Sequence, residues 1–344
     1  MVAYIIRRLI GAVLLLLVVT AVTFGIFFEI PKLAGQTTDQ LAASYVGKAP
    51  TAEAIHDTKV RLGLDKPVVV QYGNFLKGIV AGQSFNNGPD KEWCPAPCLG
   101  YSFRSSEPVL PQLLDRAPAT ISLTAGASVI WLVFGVGTGI ISALRRGSIL
   151  DRTFMSVALA GVSLPIFFTG LVSMAIVAYG WGWAETGGGT YPLVGGLSSI
   201  TNDPAKWFQS LILPWITLAF LYAALYARLT RAGMLDTLNE DYIRTARAKG
   251  LPERTVITKH ALRATLTPIL TIFGLDIGLL LGGAVLTEST FSIPGIGQLA
   301  IQSIGTGDLP MVLGVTLLAA IFIVIANLVV DVLYAVIDPR VRLS

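Results

Sequence analysis

DYIRTARAKGLPERTVITKHALR, residues 241–263, is a basic, helix-forming insert between two long apolar segments. From Arg228 through Arg263 the chain carries eight lysines and arginines. Short loops rich in Lys and Arg stay on the cytoplasmic side of a membrane. The insert therefore orients the chain, and its helical pattern also offers a surface on which a soluble partner can dock.

Composition supports a membrane protein. Hydrophobic residues make up 53% of the 344 and charged ones only 13%, and the mean hydropathy is +0.68; a soluble domain carries about 25% charged residues. The net charge of +4 matters less than where the charges lie. Six apolar runs approach membrane-spanning length: Leu9 to Phe28, Ala119 to Leu144, Phe154 to Tyr179, Leu211 to Tyr226, Leu266 to Leu286 and Met311 to Ile337. The first is too long for the core of a signal peptide and has no small-residue cleavage site before Glu29 and Pro31, so it reads as a retained span. The fourth is short and bounded by Pro214.

With the N-terminus inside, 15 of the 25 basic residues fall in the cytoplasm, including Arg7, Arg8, Arg145, Arg146 and Arg152. Nine of the rest lie between Glu29 and Pro118, a segment long enough to translocate regardless of charge, and one is Lys206. Both termini are expected to be cytoplasmic. Tyr179, Trp181, Trp183 and Trp207 then form an aromatic belt at the outer ends of spans three and four.

The polar stretch between spans one and two is too long for a turn. Thr51 can cap a helix that runs to about Leu62 and stops at Gly63; Asp65 and Pro67 can open a second one ending near Gly82. This is expected to be a small extracytoplasmic subdomain. It holds both cysteines, Cys94 and Cys98, where an oxidising compartment makes a disulfide the default and free thiols the alternative. A metal site lacks ligands, since only His56 lies on that side with the two thiols.

Motifs for chemistry are missing. There is no G-x-x-x-x-G-K-[ST], and Gly187 to Gly189 is followed by Thr190-Tyr191-Pro192 in place of a lysine-bearing helix, so ATP binding by a P-loop is excluded. There is no G-x-S-x-G or H-E-x-x-H, and His56 and His260 fall on opposite sides of the membrane. No catalytic residues are assigned. A membrane body with a basic inner loop fits passage of a solute better than turnover of one.

Within the loop, Asp241 to Lys249 reads as a short helix closed by Gly250, with Pro252 in the first turn of the next helix. Tyr242, Thr245, Ala246 and Lys249 share a face at three- and four-residue spacing. That face can meet a partner's groove, or the helix can lie on anionic headgroups; composition alone leaves the two readings level.

Arg244-Thr245-Ala246, then Gly250, then nine residues, then His260-Ala261-Leu262-Arg263 resembles the coupling motif of ABC importer permeases, in which Glu-Ala-Ala precedes Gly and an Ile-x-Leu-Pro follows. Arg stands for the motif's Glu and for its final Pro, as in the dipeptide, oligopeptide and nickel branch. Further stretches are similar to the same branch: Tyr4 to Arg8, Leu62 to Pro67, Ala117 to Thr120, Leu144 to Ser148 with Asp151-Arg152, Glu288 with Phe291 to Gly297 (FSIPGIG), and Asp338 to Arg340. Gln83 to Cys98 departs from that pattern as an insertion. The resemblance implies an all-α polytopic membrane protein of the type I importer permease fold, with six transmembrane helices, in a bacterial or archaeal cytoplasmic membrane. It implies a second homologous permease, two ATP-binding cassette subunits that carry the ATP and Mg, and an extracytoplasmic solute-binding protein. It implies no cofactor on this chain and no nucleic acid. Tyr242, Arg244, Thr245, Ala246, Lys249 and Gly250 are the expected coupling residues.

The expected organisation is a membrane helix over 1–29, an extracytoplasmic subdomain over 30–117 and a five-helix core over 118–344 with its coupling loop at 236–263. Gly274, Gly278 and Gly282 in span five, and Gly135, Gly137 and Gly139 in span two, permit close helix approach, within the chain or toward a partner permease. Asp276 and Asp331 are carboxylates inside apparent spans, where a charge is costly unless it faces a cavity or a partner. Asp276, near the middle of span five, either faces the translocation path or is hydrogen-bonded between helices. Glu288 is placed on that path, and Phe291, Pro294, Gly295 and Gly297 at an outer gate. The expected function is peptide import by alternating access. A nickel or other small-solute permease of the same branch is the alternative, and an ion-coupled secondary transporter is the alternative of another class, though no inverted repeat or paired broken helices mark one.

Overall fold

The structure, a computed structural model, describes residues 2–28, 35, 37–46, 51–61, 63–87, 90–180 and 203–337. Trp181, Trp183, Gly187 to Gly189 and Asp338 to Arg340 lie outside the described residues, as do the side chains of Tyr179 and Asp331. The element order is α1 (Val2–Phe28), α2 (Thr38–Val46), α3 (Ala52–Arg61), α4 (Val68–Ala81), β1 (Gln83–Asn87), β2 (Asp90–Cys94), β3 (Tyr101–Ser102), β4 (Glu107–Pro108), α5 (Val109–Trp131), α6 (Gly137–Leu144), α7 (Ile149–Ser163), α8 (Ile166–Ser173), α9 (Pro204–Leu238), α10 (Asp241–Ala248), α11 (Glu253–Thr255), α12 (Leu262–Leu281), α13 (Val285–Thr290), α14 (Ile296–Thr306) and α15 (Leu309–Ile337). π-Helical turns at Leu132–Val136, Met174–Gly180 and Val256–Ala261 join α5 to α6, extend α8 and lead into α12. Among the described residues, two small antiparallel hairpins, β1 with β2 and β3 with β4, stand between the helices.

Among the described residues five helical stretches are long and apolar enough to cross a membrane: Ile6–Ile26, Val109–Leu144, Pro204–Leu238, Glu253–Leu281 and Leu309–Val330. A sixth arises if α7 and α8, bent by 104°, count as one span. The bend falls where Leu164 is extended, ahead of Pro165, because a residue before proline avoids the helical conformation. Pro214 does not bound its span, contrary to the expectation from sequence. It lies inside α9, as Pro118 lies inside α5 and Pro268 inside α12. A membrane helix tolerates proline when its neighbours cover the freed carbonyl, and both Pro214 and Ser210, whose carbonyl is freed, are buried.

The chain divides into two compact units: Ala119–Gly295 with Ile323–Ser344 and Met1, and Val2–Pro118 with Ile296–Phe322. The first is a helix bundle whose core includes Leu123, Trp131, Leu218, Tyr226 and Phe291. Its close contacts are made by glycines. A Cβ on Gly135 would lie 2.9 Å from the Ala223 carbonyl oxygen, and one on Gly139 would lie 2.6 Å from Thr230 Cβ, so α9 packs against the segment that holds both. Gly274 and Gly278 of α12 meet Val330 and Ile323 of this chain's own α15, with Val330 Cγ2 only 1.9 Å from a Cβ on Gly274. At these two positions the small residues serve packing within the chain.

In the second unit, Leu99, Val109, Leu113, Ile296 and Met311 share one buried cluster. The expected helix starts are met: Thr51 Oγ1 accepts from the Ala54 N–H at 3.2 Å, Pro67 precedes α4, and Gly63 and Gly82 have φ of +66° and +74°. The sequence reading missed α2, although Thr37 and Gln40 form a reciprocal capping box in front of it, with the Thr37 N–H 2.9 Å from Gln40 Oε1 and the Gln40 N–H 3.2 Å from Thr37 Oγ1. Cys94 and Cys98 are joined by a disulfide. The Ser102 hydroxyl donates to the buried Asp308, whose other carboxylate oxygen accepts from the Met311 N–H at the start of α15.

Candidate functional site

The basic insert folds as the expected helix, corner and helix. The Gly250 N–H donates to the Arg247 carbonyl at 2.9 Å and the Leu251 N–H to the Ala246 carbonyl at 3.4 Å, with Gly250 at φ +73°. These are the paired bonds of a Schellman stop, which needs a left-handed residue at the position glycine fills. Pro252 stands one residue ahead of the next helix, at its cap. Arg247 and Glu253 then fork across the corner, Nη2 to Oε1 at 2.7 Å and Nε to Oε2 at 3.1 Å; Glu253's carboxylate holds the Arg247 guanidinium above its ordinary pKa.

The face expected to dock is divided. Tyr242 is 46% exposed, and Arg244, Thr245, Lys249 and Gly250 are exposed with it. Ala246, however, is only 7% exposed and packs with Ile243, Met234, Val256, Ala261 and Ala143. The apolar stripe of α10 thus includes Ala246, because Ile243 and Ala246 are three apart and turn to the same side. Ala246 seats the helix, and its neighbours face outward.

A second polar centre joins α7 to α9. Asp151 is buried and accepts from Arg231, from the Gly147 N–H at 2.8 Å and from the Ser142 hydroxyl, while Ser148 caps α7 by accepting from the Asp151 N–H at 3.2 Å. A third centre surrounds Asp276. Tyr226 donates its hydroxyl to Asp276 Oδ2 at 2.8 Å. Trp131 lies beside Tyr226 with ring centroids 6.2 Å apart, stacks on Tyr222 at 4.7 Å and meets Phe273 edge-on at 6.1 Å. Asp276 itself is half-buried. Because α12 ends at Leu281, ahead of the expected Leu286, Asp276 lies within two turns of its C-terminal end and not at mid-span.

Glu288 is 0% exposed. Its Oε1 accepts from the Thr120 hydroxyl at 2.8 Å and from the Ala284 N–H at 3.2 Å, and its own carbonyl accepts from the Ile293 N–H at 2.8 Å. A Cβ on Gly295 would lie 2.4 Å from its carboxyl carbon, so the loop winds round the carboxylate and only glycine fits there. Phe291 is buried, Pro294 is half-buried, and Gly297 is buried in the first turn of α14, in the other unit. Among the described residues no group of three potential metal ligands occurs.

Two family descriptions cover nearly the whole chain: the binding-protein-dependent transport system inner membrane component over residues 135–343, and the N-terminal part of the same membrane component over residues 1–124. The chain belongs to this family. It is therefore a membrane component of a binding-protein-dependent transport system, and no catalytic role falls to it. Among its relatives, the dipeptide transport system permease protein DppB of Alkalihalophilus pseudofirmus is 38% identical, covering 99% of this chain and 100% of the relative. The di/tripeptide transport system permease protein DppB of Pseudomonas aeruginosa is 38% identical over 99% of each, and the dipeptide permease DppB of Escherichia coli K12 is 35% identical over 99% of each.

In this membrane component the helix and corner at Asp241–Gly250 and the loop Phe291–Gly297 were legible as motifs. Trp131, Tyr222 and Tyr226 were missed, although a signal exists: Trp and Tyr usually sit at the ends of spans, whereas Trp131 lies well inside the span Val109–Leu144 and Tyr222 and Tyr226 well inside Pro204–Leu238. Arg231 was counted only as a topology marker. Its partner stands 80 positions away, and nothing local announces it.

Proposed function

We propose that this chain is the peptide-translocating permease of an ATP-driven importer. It would cross the membrane six times with both termini in the cytoplasm and hold its subdomain outside, in the type I arrangement. It would work with a second permease, two ATPases that carry ATP and Mg, and an external binding protein. Three relatives are named for di- or tripeptides, which favours peptide over nickel, and as transport-system components they speak against a transporter working alone. The exposed Tyr242, Arg244, Thr245, Lys249 and Gly250 support docking of α10 on an ATPase.

The observation that carries the peptide reading is the half-buried Asp276, oriented by Tyr226 beside a cluster of aromatic faces. A carboxylate near aromatic faces suits an ammonium group, by charge and by the ring quadrupole. Glu288, wrapped by its loop, serves as the post on which Phe291, Pro294 and Gly295 are wound. The test is uptake into proteoliposomes holding the assembled importer. Asp276→Asn should weaken uptake of a dipeptide at least several-fold and leave its N-acetylated form nearly unchanged; equal effects on both would refute the ammonium role.

A further inference from the structure

The helix α4 carries a face that neither its own unit nor the coupling site uses. Fourteen residues long, VVVQYGNFLKGIVA, it has a single charged side chain, Lys77. Val69 and Val80 are each 82% exposed. With Gly73 and Leu76 they fall at the spacing i, i+4, i+7, i+11, one stripe along a helix, while the buried Gln71 and Gly78 lie on the opposite side. Such a stripe in water is an unexplained cost, since burying it gains roughly 25 cal/mol per Å².

The position of α4 says what covers it. Tyr72 donates its hydroxyl to the Leu17 carbonyl at 3.1 Å and lies 3.0 Å from Thr20 Oγ1. Phe24 packs on Tyr72 and Phe75 with ring centroids 5.6 and 6.2 Å away. Leu17 and Thr20 lie inside the span Ile6–Ile26, roughly 14 and 9 Å short of its C-terminal end at 1.5 Å per residue. Thus α4 lies beside the last turns of α1 and not beyond them. Val18 and Val22 on α1 are exposed too, so the span on which α4 packs keeps a bare apolar surface of its own.

The other end of α4 is fixed. The Cys98 N–H donates to the Gly78 carbonyl at 3.2 Å, and a Cβ on Gly78 would come within 3.1 Å of Gln83 Oε1. The disulfide-bridged loop is thereby held on the back of α4, and Trp93, beside Gly82, is exposed at that end.

We infer that α4 is an interfacial helix, its Val69, Gly73, Leu76 and Val80 stripe embedded in the acyl chains of the leaflet around the C-terminal half of α1. Lys77 reaches the headgroups and Trp93 marks the interface. Under the topology proposed above this is the outer leaflet. The disulfide loop acts as the clamp that sets how α4 lies on the membrane.

The assembled importer in nanodiscs tests this. Val69→Cys and Val80→Cys, each carrying an environment-sensitive fluorophore, are compared with Asp57→Cys on the exposed face of α3, using lipids with a nitroxide near the headgroup end of the acyl chain and aqueous iodide. Lipid quenching at 69 and 80 at least about two-fold above that at 57, with iodide ranked the other way, is the expected result. Iodide quenching at 69 and 80 equal to that at 57, or protection from both quenchers that appears only with the partner subunits, overturns it. Val69→Trp and Val80→Trp, read by a blue-shifted emission, repeat the comparison without a label. Quenching reports hydrocarbon and not sidedness, so this result and the topology stand or fall separately.

Discussion

Arg231 grips Asp151 with two arms of its guanidinium, Nε to Oδ1 at 2.7 Å and Nη2 to Oδ2 at 2.9 Å. The fork is a bidentate charge-assisted pair, and its carboxylate is buried. Arg231→Ala leaves that charge without its partner and is expected to cost about 3–5 kcal/mol, read as a lower melting temperature and less protein in the membrane. Adding Asp151→Asn should recover part of the loss. Full stability in Arg231→Lys would show that charge alone, and not the fork, matters.

At the corner, two mechanisms separate cleanly. Among the described residues none beyond its two chain neighbours comes within 4 Å of a Cβ on Gly250, so Gly250→Val meets chiefly backbone strain, about 1–2 kcal/mol, and should loosen the corner locally. Ala246→Trp must force a ring into the packed cluster with Ile243 and Val256, and should lower both melting temperature and uptake.

Tyr242→Ala touches neither mechanism. Uptake in proteoliposomes should fall while the melting temperature holds within a degree or so, consistent with the small stability effect of most surface substitutions, about 0.5 kcal/mol or less. Unchanged ATP-driven uptake would remove Tyr242 from the docking surface.

Gly274→Ala is predicted to destabilise by about 1–3 kcal/mol through overpacking, because Val330 Cγ2 stands 1.9 Å from the new methyl. The double variant with Val330→Ala should regain most of the loss. Gly137→Ala, with open space around it, serves as the neutral comparison in the same melting assay.

Burial pushes the Asp308 carboxyl up in pKa, and the Ser102 hydroxyl and Met311 N–H offset only part of this. A pKa above the unfolded value, about 3.9, means the fold prefers the protonated form. The corresponding stability is fully present below that unfolded pKa and is lost as pH rises through the folded one. Asp308→Asn should therefore flatten the acid-side pH dependence of the melting temperature; an unaltered profile would exclude Asp308 as its source.

The apolar runs and the Gly250 corner could be read from sequence because each depends on local rules, hydrophobic length and the left-handed freedom of glycine. Pro214 misled because proline ends helices in water, whereas α9 is buried around it. The Thr37–Gln40 capping box was legible and overlooked. Ala246 was misassigned by one step of azimuth: Ile243, its neighbour three positions back, decides which side of α10 is apolar. The pairing of Tyr226 with Asp276 was beyond local reading, since their separation of 50 positions is set by how α9 and α12 pack.

A π-helical turn spreads its backbone hydrogen bonds one residue wider than an α-turn. The turn Val256–Ala261 lies within a helical stretch, Glu253–Leu281, that begins at the corner's ion pair and carries Asp276 toward its far end. At 1.5 Å per residue, Glu253 and Asp276 are about 35 Å apart along it. Removing that extra residue's winding would swing everything beyond it by about 100° around the axis, with little change in length. A torsion at the corner that rewound this turn would therefore change which neighbour the Asp276 carboxylate points to, as the turning of a key selects what its bit engages.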